Sequence, residues 1–275
     1  MKKQCVSNPD DLDWLEFWEE KLENKITKDW DKAAEGFYKR SKRDSYQEEL
    51  LKRLKLSKDD TVLDVGCGEG SITIPIAKKV KSVTGLDSSK KMLEFLNKRA
   101  SEEKIENIET VLCDIEDISY DELGDYDIVV ASRCLNGIVP IKETIIELNK
   151  IANKYVFFTV FGPDDRKLVK DFEAYIGKDA NSFPNYNYLF NILFNMGIYA
   201  NIERLEIPNM HEYNSIEEII NNGKFRTDAM SDEEKEKLKK YLEKNTEINP
   251  ETGKLYSPLD TTDWMLFWWK KSKKI

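Results

Sequence analysis

The feature that most constrains this chain is the segment Val62-Leu63-Asp64-Val65-Gly66-Cys67-Gly68-Glu69-Gly70. A short apolar run ends in glycines at alternate positions, and a helical pattern, Ile72 to Lys79, follows, so the segment reads as strand, tight turn and helix. The same unit recurs: strand Ser82–Leu86 with helix Lys90–Ser101, strand Ile108–Leu112, strand Tyr126–Ala131 with helix Pro140–Ala152, and strand Tyr155–Val160. Continuous apolar strands alternating with helices predict a parallel sheet covered on both faces. With 275 residues, 40% of them apolar and 35% charged, the chain suffices for one α/β domain with added segments, and its dispersed charge is globular in character.

The flanks read differently. From Asp11 to about Arg53, Leu12, Leu15, Phe17, Trp18 and Leu22, then Trp30, Ala33, Ala34, Phe37 and Tyr38, recur at three- and four-residue steps, which predicts two or three helices. After Val160 come helical segments near Asp164–Ile176 and Tyr186–Met196 and a strand Tyr199–Ile207. A polar, helix-rich stretch then runs from about Pro208 to Pro258, before a last strand Thr262–Lys270. In that strand Trp264, Leu266 and Trp268 face one side and Met265, Phe267 and Trp269 the other, which predicts burial on both faces.

Composition narrows the function. A formal charge of −9 repels phosphate polyanions at long range, so no nucleic-acid partner is expected; Lys270, Lys271, Lys273 and Lys274 read as a solvated terminus. The opening Met-Lys-Lys-Gln-Cys leads into no apolar stretch of signal-peptide length and no membrane-spanning run follows, so no membrane partner and a cytoplasmic location are expected. Cys5, Cys67, Cys113 and Cys134 form no Cys-x-x-Cys pair, so neither a zinc knuckle nor a redox pair is spelled out and no metal is expected. Cys67, Cys113 and Cys134 all fall near the carboxyl edge of the expected sheet, either as small packing residues or as thiols that would meet a soft metal or metalloid substrate.

Glycines at a strand-to-helix turn let a ligand approach the backbone where no Cβ intrudes, which suits a nucleoside-containing cofactor. Asp87 follows Asp64 by 23 residues, at the end of the next strand, where a carboxylate can accept from both ribose hydroxyls. A nicotinamide fingerprint, Gly-x-Gly-x-x-Gly, would need glycine where Ser71 stands. At this point the chain resembles the class I S-adenosylmethionine-dependent methyltransferases, whose first motif is two hydrophobic residues followed by Asp-x-Gly-x-Gly-x-Gly. The resemblance continues through Gly85-Leu86-Asp87-Ser88-Ser89-Lys90-Lys91-Met92-Leu93, Cys113-Asp114-Ile115 and Tyr126-Asp127-Ile128-Val129-Val130-Ala131-Ser132-Arg133, and spans about Asp60 to Val160.

The resemblance implies a Rossmann-like α/β fold, with a seven-stranded mostly parallel sheet, helices on both faces and Thr262–Lys270 antiparallel beside Tyr155–Val160. It implies S-adenosylmethionine as cofactor, bound by the turn residues Gly66, Cys67, Gly68 and Gly70, with Asp64 at its methionine end and Asp87 at its ribose. Ser88 and Met92 would border the adenine, Asp114 between Cys113 and Ile115 would accept from its amine, and Ser132 and Arg133 would lie at the cofactor-facing end of the fourth strand. Trp30 to Tyr38 is similar to the N-terminal segment of small-molecule members, which makes Tyr38 a lid candidate or else part of an ordinary amphipathic helix. The domains expected are residues 1–56 as a helical lid and 57–275 as the methyltransferase domain, with a helical insertion at about 208–258.

Methyl transfer from a sulfonium is an in-line displacement that needs alignment more than a base. No catalytic base is singled out, and His211, the one histidine, reads as a surface residue. Arg133 and Asn136 bind substrate or position their loop. The Asn/Asp-Pro-Pro-Tyr signature of base methylation is absent where Ser132-Arg133-Cys134-Leu135-Asn136 stands. The expected activity is therefore methyl transfer to a small-molecule acceptor, with protein side-chain methylation or non-catalytic cofactor binding as the alternatives; the sequence is silent on oligomeric state.

Overall fold

A computed structural model describes residues 12–23, 28–40, 45–178, 183–208 and 211–271. Two compact units divide the chain: the first takes Met1–Phe161, Phe183–Leu205 and Met265–Ile275, the second Gly162–Ser182 and Glu206–Trp264. In chain order the helices are α1 (Trp14–Leu22), α2 (Trp30–Arg40), α3 (Ser45–Arg53), α4 (Thr73–Ala77), α5 (Lys90–Glu102), α6 (Tyr120–Leu123), α7 (Ile141–Ile151), α8 (Lys167–Tyr175), α9 (Tyr186–Asn195), α10 (Ile216–Asn221) and α11 (Asp232–Lys244). The strands are β1 (Thr61–Val65), β2 (Ser82–Asp87), β3 (Ile108–Leu112), β4 (Tyr126–Ser132), β5 (Ala152–Phe161), β6 (Asn201–Arg204), β7 (Glu247–Ile248), β8 (Leu255–Tyr256) and β9 (Trp264–Lys270).

Seven strands form one sheet in the order β3-β2-β1-β4-β5-β9-β6. The pairs β1 with β2, β1 with β4, β2 with β3 and β4 with β5 are parallel, and β6 with β9 is antiparallel. Gly162 N donates to Asp263 O and Lys271 N to Lys154 O, both at 2.8 Å, a reversed register that sets β9 antiparallel to β5. The expected mostly parallel sheet with an antiparallel last strand is thus the observed one.

The central strands are mostly apolar because both of their faces are covered. Leu63, Val65, Val129, Ala131, Phe158 and Val160 pack with Ile141, Ile145 and Leu148 of α7, Leu189 and Ile192 of α9, and Phe267 and Trp269 of β9. Phe158 and Trp269 meet edge to face at 5.1 Å, and burying each such ring contributes about 2–3 kcal/mol. Elsewhere Cys67, Ile74, Leu93, Leu96 and Ala100 form a second apolar cluster. Ser89 caps α5, its Oγ accepting Met92 N at 3.1 Å, and Met92, Leu93, Leu96 and Ala100 give that helix its buried stripe.

Charged groups tie the amino ends of the strands. Asp60, only 1% exposed, accepts from Ser57 N at 2.6 Å and from Lys154 Nζ at 2.7 Å, and Lys154 also reaches Asp127 at 3.2 Å. Removing one partner of a buried carboxylate is costly, but the half-exposed lysine and the retained Ser57 bond moderate the loss. Lys154→Met is therefore expected to destabilise the protein by about 1–2 kcal/mol in chemical denaturation, whereas Lys98→Met on the exposed face of α5 should change stability by under about 0.5 kcal/mol.

Three anchors hold the N-terminal helices against the opposite, carboxyl edge. Trp18 of α1, fully buried, donates from Nε1 to Ile138 O at 2.7 Å, just beyond β4. Asp31 of α2 accepts from Ser89 Oγ at 2.5 Å and from Lys91 N at 3.1 Å, where α5 starts. Tyr46 of α3 places its hydroxyl 2.7 Å from Ser132 Oγ and 2.6 Å from Thr159 Oγ1, at the ends of β4 and β5.

The second unit has its own core, in which Leu168 and Phe172 of α8 pack with Tyr213, Ile219, Phe225, Leu238 and Leu242. Ser231 and Glu234 form a capping box at the start of α11, and Lys224 Nζ lies 2.6 Å from Asp260 and 2.9 Å from the Tyr213 hydroxyl. Among the described residues no helix is long and apolar enough to cross a membrane.

Candidate cofactor site at the carboxyl edge

β1 runs out at Val65, and the chain turns at once through Gly66 and Gly68, both with positive φ, +65° and +55°. Cys67 N donates to Leu86 O at 3.0 Å and Gly68 N to Asp87 Oδ2 at 2.8 Å, so the turn is pinned to the end of β2. Asp87 Oδ1 accepts from Ser89 N at 2.9 Å. Each carboxylate oxygen therefore has one backbone donor and keeps capacity for a ligand hydroxyl.

The two glycines face different surroundings. A Cβ on Gly66 would lie 2.6 Å from Cys134 Cβ and 3.4 Å from Ile115 Cδ1. On Gly68 it would meet only Met92 Sδ, at 4.0 Å. Space over Gly68 is thus open to an incoming group, beside a carboxylate suited to ribose, and these residues fit a nucleoside cofactor.

The electrostatics of the turn are set by carboxylates. Asp64 is buried and accepts from Thr73 Oγ1 at 2.6 Å; burial above all, then the charges of Asp87 and Glu69, pushes its pKa up to about 7 against the Thr73 bond. Asp87 is raised too, first by burial, then by Glu69 and Asp114, against its two backbone donors. Burial, then Asp64 and Asp87, pushes up both the Cys67 and the Cys134 thiols, which stay protonated and unreactive. The charges acting on these four groups are all carboxylates, so the turn favours a cation and repels a pyrophosphate.

The other sequence-derived residues divide. Cys113 N donates to Asp87 O at 3.1 Å and brings the end of β3 beside that of β2. Asp114 is exposed and spends Oδ1 on Glu116 N at 3.0 Å, capping the single turn Ile115–Asp117, and Ile115 leans toward Gly66. Ser88 is exposed at the start of α5 and Met92 is buried beneath Gly68, while Gly70 is the third positive-φ glycine of the turn. Ser132 and Arg133 lead off the end of β4, next to Gly66 through the pairing of Val65 with Ala131.

Tyr38 is the exception. Its ring stacks on Phe95 at 4.4 Å, Arg99 donates to its carbonyl at 3.0 Å, and its hydroxyl points to Glu102. These partners lie along the middle and last turns of α5, so the Tyr38 side chain packs α2 on α5 in this structure. The residue of α2 that reaches the start of α5 is Asp31.

Cys67 and Cys134 pack as small residues: Cys67 Sγ sits 3.0 Å from where a Gly85 Cβ would be, and Cys134 Sγ donates to Val65 O at 3.2 Å, while Cys5 lies outside the described residues. Among the described residues no group of three or more His, Cys, Asp or Glu is placed to hold a metal ion. His211 is exposed and belongs to the second unit. Sequence reasoning missed Tyr46, Thr73 and Thr159, whose hydroxyls are buried at the carboxyl edge or against Asp64. No local pattern marks them, because their partners are brought in by the fold.

Fold and turn together define a Rossmann-like protein built for a nucleoside cofactor, and comparison with known proteins sharpens this. The model of the methyltransferase-domain family matches residues 56–246. An uncharacterized protein of Haemophilus influenzae is 29% identical over 247 residues, 87% of this chain and 88% of that one. Over 63 residues the chain is 40% identical to the 23S rRNA (uracil(1939)-C(5))-methyltransferase RlmD of the same species, covering 23% of this chain and 14% of that enzyme. Among solved structures, a putative methyltransferase from Bacillus halodurans superposes with a TM-score of 0.56 at 14% identity, covering 83% of this chain and all of the other. The chain belongs to the methyltransferase-domain family, of the class I, S-adenosylmethionine-dependent type.

Proposed function

We propose that this chain transfers the methyl group of S-adenosylmethionine to a small-molecule acceptor, with the cofactor held on the turn from Gly66 to Gly70. The observation that carries this is the all-carboxylate turn beside the open face of Gly68. The cofactor has a net positive charge from its sulfonium and ammonium groups, whereas a nicotinamide dinucleotide would bring a pyrophosphate to the same turn. In this reading Asp87 accepts from the ribose hydroxyls, the second oxygen of Asp114 from the adenine amine, and Ser88, Met92, Cys113 and Ile115 border the base. Asp64 holds the turn through Thr73 and faces the methionine end.

The sulfonium supplies the leaving group, and the chain's own task is to align the acceptor and exclude water. The helices α1, α2 and α3, anchored along the carboxyl edge, serve that end as a covering segment within residues 1–56. A covered edge suits a small acceptor better than a folded macromolecule. The formal charge of −9 speaks against RNA, and the match to the RNA enzyme spans too little of it to bring its substrate across. A cytoplasmic location is part of this reading, and among the described residues no helix is long and apolar enough to cross a membrane.

Labelled S-adenosylmethionine tests the acceptor class: incubated with the protein and a fractionated cell extract, it should transfer label into the small-molecule filtrate. Label in the RNA or protein fraction instead would overturn this acceptor class.

Asp64 adds a pH dependence. It is protonated below about pH 7, and losing that proton adds a negative charge where a cation is to bind. Affinity for S-adenosylmethionine should therefore climb between pH 6 and 8, by up to about tenfold per pH unit, and level off above. S-adenosylhomocysteine, lacking the sulfonium charge, should climb less in the same calorimetric series. Because the folded pKa is raised, the cofactor-free protein should lose stability as pH rises from about 4 to about 7, with no further change from this group above that.

A further inference from the structure

Residues 180–202 contain no Asp, Glu, Lys, Arg or His, although 35% of the chain's residues are charged. α9 occupies the middle of this stretch, and its inner side is ordinary, with Leu189, Ile192 and Leu193 buried in the main core. Its outer side differs from that of the other long helices. Asn187, Phe190 and Phe194 are exposed at successive three- and four-residue steps, which place them on one solvent-facing side, with Asn195 beside them. Phe190 is 42% exposed and Phe194 51%, their rings 6.4 Å apart, and Phe194 meets the 76%-exposed Tyr199 edge to face at 5.7 Å. The exposed positions of α5 and α11, by contrast, carry mainly Lys and Glu.

Three touching aromatic rings on a surface free of charge are unfavourable to leave in water. Loss of charged residues with gain of aromatic ones is what distinguishes the centre of a protein–protein interface from ordinary surface. Charge also selects the partner. Two copies of this chain each carry −9 and repel one another over most of their surface, so they approach best where neither brings a carboxylate. A twofold contact must be complementary to itself, which a face of one charge sign never is. Phenyl rings pack on phenyl rings, and each asparagine amide offers both donors and an acceptor to its counterpart. A lipid surface fits less well: interfacial helices carry Lys and Arg on their polar side, α9 has neither, and anionic headgroups would meet a −9 protein. The patch also runs out onto an open sheet edge, since β6 begins just beyond Tyr199 and among the described residues pairs with β9 alone.

We infer that the outer side of α9, with Phe190, Phe194 and Tyr199, is the contact between two copies of this chain, related by a twofold axis that passes near Phe194. These side chains are separate from those assigned to the cofactor. A contact centred on three rings per copy is small, so the dimer is weak, with a dissociation constant on the order of 1–100 μM.

Sedimentation equilibrium of the full chain between about 1 and 500 μM reads the contact directly, and wild type is expected to pass from monomer to dimer over that range. Because the two bodies repel and the contact is uncharged, raising NaCl from about 0.05 to about 0.5 M should tighten the dimer, whereas a contact held by ion pairs would loosen. Phe194→Glu and Phe194→Lys are each expected to weaken it by about thirtyfold or more. An equimolar mixture of the two should recover a dimer, since each new charge then faces its opposite. Lys240→Gln, on an exposed position of α11, changes the net charge as much as Phe194→Glu does and should leave the dimer intact. Melting curves verify that all three variants fold. Wild type that stays monomeric throughout overturns the proposal; if it then pellets with phosphatidylcholine vesicles and Phe194→Glu does not, the patch serves a lipid surface instead. A dimer indifferent to both Phe194 variants, a mixture that fails to recover it, or loosening with salt overturns it too.

Discussion

Replacing Asp87 by alanine is expected to lower affinity for S-adenosylmethionine by about a hundredfold or more while leaving the protein folded. Two hydrogen bonds from ribose hydroxyls to a charged acceptor are lost, at about 1.5–3 kcal/mol each. The amides of Gly68 and Ser89 lose the carboxylate that holds the turn in place as well. In the cofactor-free protein the same change is mild, because a carboxylate whose pKa is raised by burial and by its acidic neighbours is itself a strained group. Asp114→Ala provides the comparison: an exposed carboxylate offering one oxygen to the ligand should cost about tenfold. Isothermal titration of both variants, with melting curves alongside, measures the difference.

The second large effect separates two glycines that share a backbone conformation. Gly66→Ala and Gly68→Ala both force a Cβ into the left-handed region, at about 1–2 kcal/mol. At Gly66 the new carbon would also press on Cys134 Cβ, which has no freedom to move aside, and overpacking adds about 1–3 kcal/mol. Gly66→Ala should therefore lose roughly 2–5 kcal/mol of folding stability. At Gly68 the carbon enters space bordered only by Met92 Sδ, so folding bears the backbone strain alone. The damage instead appears as a loss of cofactor affinity of about tenfold or more, since the added methyl occupies the approach to the turn. Equal effects of the two changes on binding would contradict the placement of the cofactor over Gly68.

The sheet was legible because its central strands are buried on both faces and spell largely apolar runs, as Val62 to Val65, broken only by Asp64, and Ile128 to Ala131 do. The edge was less so. A strand expected over Tyr199–Ile207 spans only Asn201–Arg204, because it pairs on one side alone and its partner β9 gives out one residue past Met265, opposite Arg204. The helix expected from Asp164 starts at Lys167, since Arg166 is left-handed and the preceding residues make a turn. The long polar stretch after Pro208 hid a short hairpin, β7 with β8, whose strands of two residues are too brief to show a period.

At the site, the ordered motifs located Asp64, Asp87 and the glycines because each answers a local need of a strand-to-helix turn. Tyr46 and Thr159 carried no such mark: they lie 113 residues apart and meet only through the fold. The packing of Tyr38 was hidden for a related reason. Its spacing with Phe37 fits any amphipathic helix, and only the position of α5 decides that its ring is spent on Phe95.

The most direct test of the account is titration of the wild-type protein at pH 8 with S-adenosylmethionine and, separately, with NADH. This sheet architecture can carry either, but the carboxylates around the turn favour the cationic one. Saturable binding of S-adenosylmethionine with none of NADH is the predicted result. Binding of NADH, or a folded protein that binds no S-adenosylmethionine, would contradict it.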